Sequence, residues 1–182
     1  PSLLADDASG SPRYSESGHW KNEQGGYASR QRSAAKDKRA AKATWTFSGL
    51  QAGHYEVWVT WKPAQEGGVG TASNAPFSIR GARQNAVVAV DQRSSPVAAA
   101  DASNLFSGLA WQALGSHEAN GRLTVELSNQ ANGLVYADAV LLIELDGAPT
   151  QVDADTQRTR DIVQRSGALR LEEANNAAER KR

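Results

Sequence analysis

Cysteine and methionine are both missing from the 182 residues. Without cysteine the chain has no disulfide, no thiolate nucleophile and no cysteine-ligated metal. A chain that opens at Pro1 without a methionine is expected to be a processed or excised piece, with a signal peptide or longer upstream region removed. No apolar run approaches the ~18 residues that a helical membrane span requires. Net charge is absent too: 20 basic side chains face 20 acidic ones, so nothing global favours nucleic acid or an anionic membrane.

Catalytic signatures are equally scarce. The three histidines, His19, His54 and His117, are scattered and lack metal-ligand spacing. There is no Gly-x-Ser-x-Gly elbow and no phosphate-cradling glycine loop. Glu56 and Glu126 lie in strand patterns and would be the carboxylate pair of a glycosidase. A strand glutamate is ordinarily just part of the solvated face. These readings predict neither enzyme chemistry nor a cofactor.

What is present is β-patterning. In Ala43-Thr44-Trp45-Thr46-Phe47 apolar and polar residues alternate with period two. A turn is predicted over Ser48-Gly49-Leu50-Gln51-Ala52-Gly53. Tyr55, Val57, Val59 and Trp61 then share one face of a half-buried strand, with His54, Glu56, Trp58 and Thr60 on the other. Shorter strands are predicted over 77–80 and 86–90, and a small-residue loop over 94–107. Leu123, Val125 and Leu127 alternate again. Residues 135–145 are nearly continuous in apolar side chains, as in a strand buried on both faces. Short strands with turn signals and no βαβ alternation predict an all-β, antiparallel β-sandwich, jelly-roll-like, over 1–145.

The ends differ from this centre. Residues 1–42 are polar, and only short strands are expected there. Within them, 30–42 read RQRSAAKDKRAAK, with six basic residues and one acid. The stretch reads as a solvated loop or short exposed helix, with a basic patch for an acidic polymer as the sharper alternative. Residues 146–182 are charged and alanine-rich. They predict a tail that is partly helical or a linker, capped at Asp153 or Asp155 and broken at Ser166-Gly167.

The ordered pieces of the chain resemble a family. Asp6-Asp7 is followed by Ser17-Gly18-His19-Trp20 and Gly26-Tyr27. Then come Ala43-Thr44-Trp45-Thr46-Phe47, Leu50-Gln51-Ala52-Gly53-His54-Tyr55-Glu56-Val57 and Val59-Thr60-Trp61. Asn74-Ala75-Pro76-Phe77, Val90-Asp91-Gln92, Trp111-Gln112-Ala113-Leu114-Gly115 and Ala137-Asp138-Ala139-Val140 complete the set. This order is similar to the golvesin and xanthan-lyase carbohydrate-binding-like domain, a β-sandwich module of secreted bacterial proteins. The resemblance covers roughly residues 4–145. The basic segment 30–42 and the loop 94–107 depart from it. It implies the fold directly. It implies carbohydrate only through the family's company with polysaccharide-active enzymes.

Five tryptophans and four tyrosines invite a sugar-stacking site, because a flat ring packs on the apolar face of a pyranose. Trp45 and Trp61 are in phase with the apolar set and are expected in the core; Trp111 is expected to pack at a strand start. Trp58 is out of phase, on the polar face beside Glu56, and is the leading exposed candidate. Trp20 is the second, in a glycine-rich loop, where its place in the resemblance implies a structural plug as readily as a platform. Tyr27 and Glu56 complete the candidate ligand-binding set. Asp6, Asp7 and Asp138 have the chemistry of a Ca²⁺ site, but no Asp-x-Asp-x-Asp-Gly loop is present. Asp138 lies in an apolar strand and must be hydrogen-bonded. It is expected to fasten a loop, with the Asn74-Ala75-Pro76 turn as its partner, and no metal is assigned.

The favoured function is a non-catalytic, secreted or cell-surface module that binds a polysaccharide or surface glycan within a larger protein. The alternative is a structural subunit of an extracellular fibre or layer, self-associating through its C-terminal tail or its sheet edges.

Overall fold

A computed structural model describes residues 2–36, 39–96 and 108–145. Its backbone is built around one long antiparallel pair of strands that are not consecutive in the chain. Strand β5 runs Lys42–Thr60 and strand β8 Gln112–Ser128, paired from Lys42 opposite Ser128 to Val59 opposite Gln112. The register shifts between Ser48 and Leu50, between Leu50 and Gly53, and between Val57 and Trp58. The first two shifts bracket the predicted turn. That expectation needs correction: Ser48 to Gly53 does not reverse the chain but bends a continuous strand. Gly49, at φ 74°, supplies a backbone form that a side chain would strain.

The bend lets each strand serve both layers of a sandwich. The first half of β5 pairs with β2 (Tyr14–Ser17). The matching half of β8 pairs with β6 (Ala75–Arg80), which pairs with β7 (Asn85–Val90). The second half of β5 pairs with β10 (Ala139–Leu145), and β10 with β1 (Ser2–Asp6). Trp45 in the first half donates its indole N–H to the Asp138 carbonyl, at the head of β10, 3.3 Å away. The two halves therefore face each other across the core. A small second sheet, β3 (Lys21–Gln24), β4 (Arg30–Ala34) and β9 (Val135–Ala137), closes one side.

Period two decides what lies inside. Trp45, Phe47, Tyr55, Val57, Val59 and Trp61 from β5 and its end meet Leu123, Val125 and Leu127 from β8, all buried. Trp45 stacks on Phe77 with centroids 6.4 Å apart. Each such side chain contributes ~1.5–3 kcal/mol through its removal from water. The core expectations for Trp45 and Trp61 are borne out. Trp61 also satisfies its indole N–H on the Ser94 carbonyl, 2.9 Å away.

Two other segments differ from expectation. The basic stretch 30–42 is neither a simple loop nor a helix. Its first five residues are β4, with Gln31, Ser33 and Ala34 buried, and its last begins β5. Alanine spacing suggested a helix, but pairing with β3 and β9 overrode that weak propensity. The apolar run 135–145 is two strands, not one. It breaks at Asp138, where the chain leaves the small sheet and joins the large one. The predicted helices of 146–182, and residues 97–107 of the predicted loop, lie outside the described residues.

Candidate functional site

Strand phase correctly puts Trp58 on the face opposite the core, but that face is not polar. Trp58 lies in a row with Leu4, Leu141 and Ala113 across four strands. It joins Trp111, Ala139 and Leu141 in a second buried cluster, flanked by Leu4, Tyr27 and Ile143. At 7% exposure its ring offers no open face, so Trp58 is not the stacking platform expected. The continuous apolar run of β10 is the reason. With both faces of β10 buried, the neighbour on the outward row is buried as well. Trp111, at 0% exposure, packs just before the β8 start, as expected.

For Trp20 the structure decides between the two expected roles in favour of the plug. It is 7% exposed, belongs to the main core, and donates its indole N–H to the Ser17 carbonyl at 3.1 Å. It plugs the core. Glu56 is half-buried on β5, opposite Ile143, two residues further than Trp58 from the loop end. Glu56 and Glu126 sit on the outward faces of different layers, with the core between them. Glu126 is engaged with Lys42 at 2.9 Å. This is not a glycosidase pair.

Tyr27 has a different setting. Of the eleven described Trp, Tyr and Phe residues, ten are buried and Tyr27 alone is not. It opens a short 3-10 turn, Tyr27–Ser29, between β3 and β4. Its ring meets the edge of Trp111, centroids 6.4 Å apart at 60°. Its backbone N–H donates to Asp138 Oδ2 at 2.8 Å. Asp138 therefore does fasten a loop, but this one. The expected partner turn is tied elsewhere: Asn74 Oδ1 accepts from the Asn132 N–H at 2.8 Å. Gly26 makes the approach possible, since a Cβ there would collide with the Asp138 carboxylate.

Asp138 is 1% exposed, and its Oδ1 has no hydrogen-bond partner among the described residues. Burial pushes its pKa up to about 8; the Tyr27 N–H opposes this, while Asp7 and Asp6 add to it. Asp7 is also raised by burial, with Arg30 pulling it back from 3.3 Å. Asp6 Oδ1 accepts from Ser9 Oγ at 2.7 Å. Among the described residues, no group of three or more His, Asp or Glu is placed to hold a metal ion. The three aspartates do not form the oxygen cage that Ca²⁺ requires.

Neighbouring loops are held by side chains that imitate strands. Gln31 accepts from the Lys62 N–H at 3.0 Å and donates back to its carbonyl. Gln92 pairs both backbone groups of Tyr136 at 2.8 Å. These buried amides tie the segments after β5 and β7 to β4 and β9. Sequence reasoning missed both as positioning residues, because a glutamine in a polar stretch carries no periodic signal.

The bent, two-layered arrangement is that of an antiparallel β-sandwich. Residues 3–144 match the Golvesin C-terminal domain, and the chain belongs to that family. Among solved structures, Paenibacillus xanthan lyase matches with a TM-score of 0.62 and 19% identity over 79% of this chain. The chain spans only 13% of that lyase. CBM35 from Cellvibrio japonicus Abf62 matches with a TM-score of 0.50 and 15% identity, over 79% of this chain and 93% of the module. The sequence matches no curated protein.

Proposed function

We propose that this domain binds carbohydrate without catalysis, as a module of a larger secreted protein, with the Tyr27 loop as its contact surface. One observation carries the reading: among the described residues Tyr27 is the one Trp, Tyr or Phe that is only partly buried, and Asp138 holds its backbone in place. A ring fixed before binding loses little freedom when a sugar stacks on it. Arg30 and Lys62 are exposed beside the same loop and supply donors for hydroxyls; the Lys62 stem lies against Gly25. The family and the shared fold of a CBM35 module and a xanthan lyase support it.

Affinity electrophoresis through gels containing individual polysaccharides tests this. The wild-type domain is expected to be retarded by at least one of them. Tyr27→Ala is expected to weaken that binding about tenfold, ~1.4 kcal/mol, while Trp58→Ala acts on folding. An unretarded domain across neutral and acidic polysaccharides overturns the proposal.

A second reading, assembly into a fibre or layer, is favoured by β7. It is an edge strand of sequence NAVVAV, uncharged and paired only with β6 among the described residues, and Val87 is 71% exposed. Strand addition by a second copy would appear as concentration-dependent sedimentation abolished by Val87→Lys. The tail expected to mediate self-association lies outside the described residues.

A further inference from the structure

The last strand of an open sheet has N–H and C=O groups without a ladder partner, and charged side chains there oppose pairing with a neighbouring molecule. Among the described residues, the edge strands with exposed positions are β1, β2, β3 and β7. β1 carries Asp6, β2 carries Glu16, and β3 carries Lys21 and Glu23. β7 has no charge, no proline and no interruption in its register with β6. Asn85, Val87 and Ala89 are all exposed on it, Val87 to 71%.

Pro76 decides which backbone groups β7 leaves open. Facing residues of an antiparallel pair alternate between exchanging both ladder bonds and exchanging none. Pro76 stands opposite Ala89 and has no N–H to give, so that pair exchanges none. Ser78 opposite Val87, and Arg80 opposite Asn85, then exchange none either. The hairpin end agrees, since the Gly81 N–H donates to the Gln84 carbonyl at 3.3 Å. Asn85, Val87 and Ala89 therefore direct their N–H and C=O groups away from β6. The strand is also pinned beyond both ends. At the hairpin tip the Ala82 N–H donates to the Glu118 carbonyl at 2.8 Å, and Gly81 sits so near that carbonyl that a Cβ would collide with it. Past the other end the Gln92 N–H donates to the Ala72 carbonyl at 2.9 Å, while its side chain pairs both backbone groups of Tyr136. The open edge is thus fixed in extended form before any partner arrives.

We infer that β7 pairs antiparallel with β7 of a second copy, about a two-fold axis at Val87. The inference rests on the edge-assembly reading above and names its partner and register. Val87 faces Val87 of the second copy and exchanges both ladder bonds with it. Asn85 faces Ala89 of the second copy and does the same, and symmetry repeats that pair. No other register pairs all of the outward-directed residues with one another. Side chains agree with it. Val88, partly buried against the core, gains Ala86 of the second copy as its neighbour on the core side of the sheet. Continuing the register brings the exposed Arg83 opposite the exposed Asp91 of the second copy at each end, so the charges are complementary. A contact of this symmetry is isologous and closes on itself. β7 alone therefore gives a dimer, and a fibre or layer requires a further edge. A single strand pair is small beside the ~1,600 Å² of a standard interface, so the association is weak.

Because the chain has no cysteine, one introduced thiol reports the register. Facing residues of a bonded pair have Cα atoms ~5.5 Å apart, within the ~4.4–6.8 Å that a disulfide spans. In oxidised glutathione, the full chain carrying Val87→Cys is expected to form a disulfide dimer about tenfold faster than one carrying Val69→Cys, at a wholly exposed loop position. Chains carrying Asn85→Cys and Ala89→Cys should cross-link with each other faster than either does with itself. In sedimentation equilibrium the wild-type mass is expected to rise with concentration to twice that of the monomer and stop there. Val87→Lys should hold it at the monomer. Cross-linking of Val87→Cys no faster than that of Val69→Cys overturns the pairing. A mass that climbs past the dimer, and returns to the monomer in Val87→Lys, overturns the two-fold closure and leaves edge assembly standing. A monomer at every concentration overturns both.

Discussion

Asp138 sits where the chain passes from one sheet to the other, and two interactions depend on that position. Its carboxylate fixes the Tyr27 loop and its carbonyl receives the Trp45 indole. Removing the side chain leaves the Tyr27 N–H without its acceptor, which costs ~1–3 kcal/mol for a buried donor. Asp138→Ala is therefore expected to lower the urea midpoint and to speed amide exchange at Tyr27. Its titration has a definite sign. The folded pKa is about 8, against 3.8 for a free aspartate. Between those values the folded chain holds a proton that the unfolded chain has lost, so Asp138 makes stability fall as pH rises through that window. Asp138→Asn keeps an acceptor and loses the titration. Urea midpoints at pH 5, 6.5 and 8 should decline less steeply in that variant than in the wild type. Asp7, raised in the same direction, leaves a residual slope in both.

At the scale of elements, the β5–β8 strand pair and the loop between β4 and β5 respond differently to substitution. Leu123 is 0% exposed beside the bend, and Leu123→Ala is expected to cost ~2–5 kcal/mol by leaving a cavity. Thermal or urea unfolding measures this, with the loss spread over the whole molecule. Asn129→Ala strips two carbonyls and one N–H of the loop of their partner. A loss of roughly 2–3 kcal/mol is expected, with amide exchange accelerated first at Ala41.

For the molecule as a whole, two apolar clusters flank the second-half layer. The main core holds the two layers together. The smaller cluster around Trp58 and Trp111 covers the outward face of β10. Trp58→Ala is expected to destabilise by ~3–5 kcal/mol, as for a buried ring. It should weaken glycan binding only where it unfolds the domain. Melting temperature measured alongside affinity separates that outcome from direct loss of a stacking platform.

Much of this molecule was legible without a structure, and what remained hidden shares one cause. Alternation identified the all-β class, the inward rings of Trp45 and Trp61, and the strands β6 and β7 to within two residues, because strand phase is a local property. The bend at Ser48 to Gly53 was misread as a turn because the same glycine-containing stretch serves a reversal or a bulge, and only pairing with β8 distinguishes them. The burial of Trp58 depends on Leu141, far along the chain. The partner of Asp138 is 111 residues away, and the partner of the basic loop is a lone asparagine at a turn. Sequence alone determined which way each strand faces. Tertiary structure alone decided what each outward face meets, because a residue's cover is set by segments that adjoin it only after the sheets have closed.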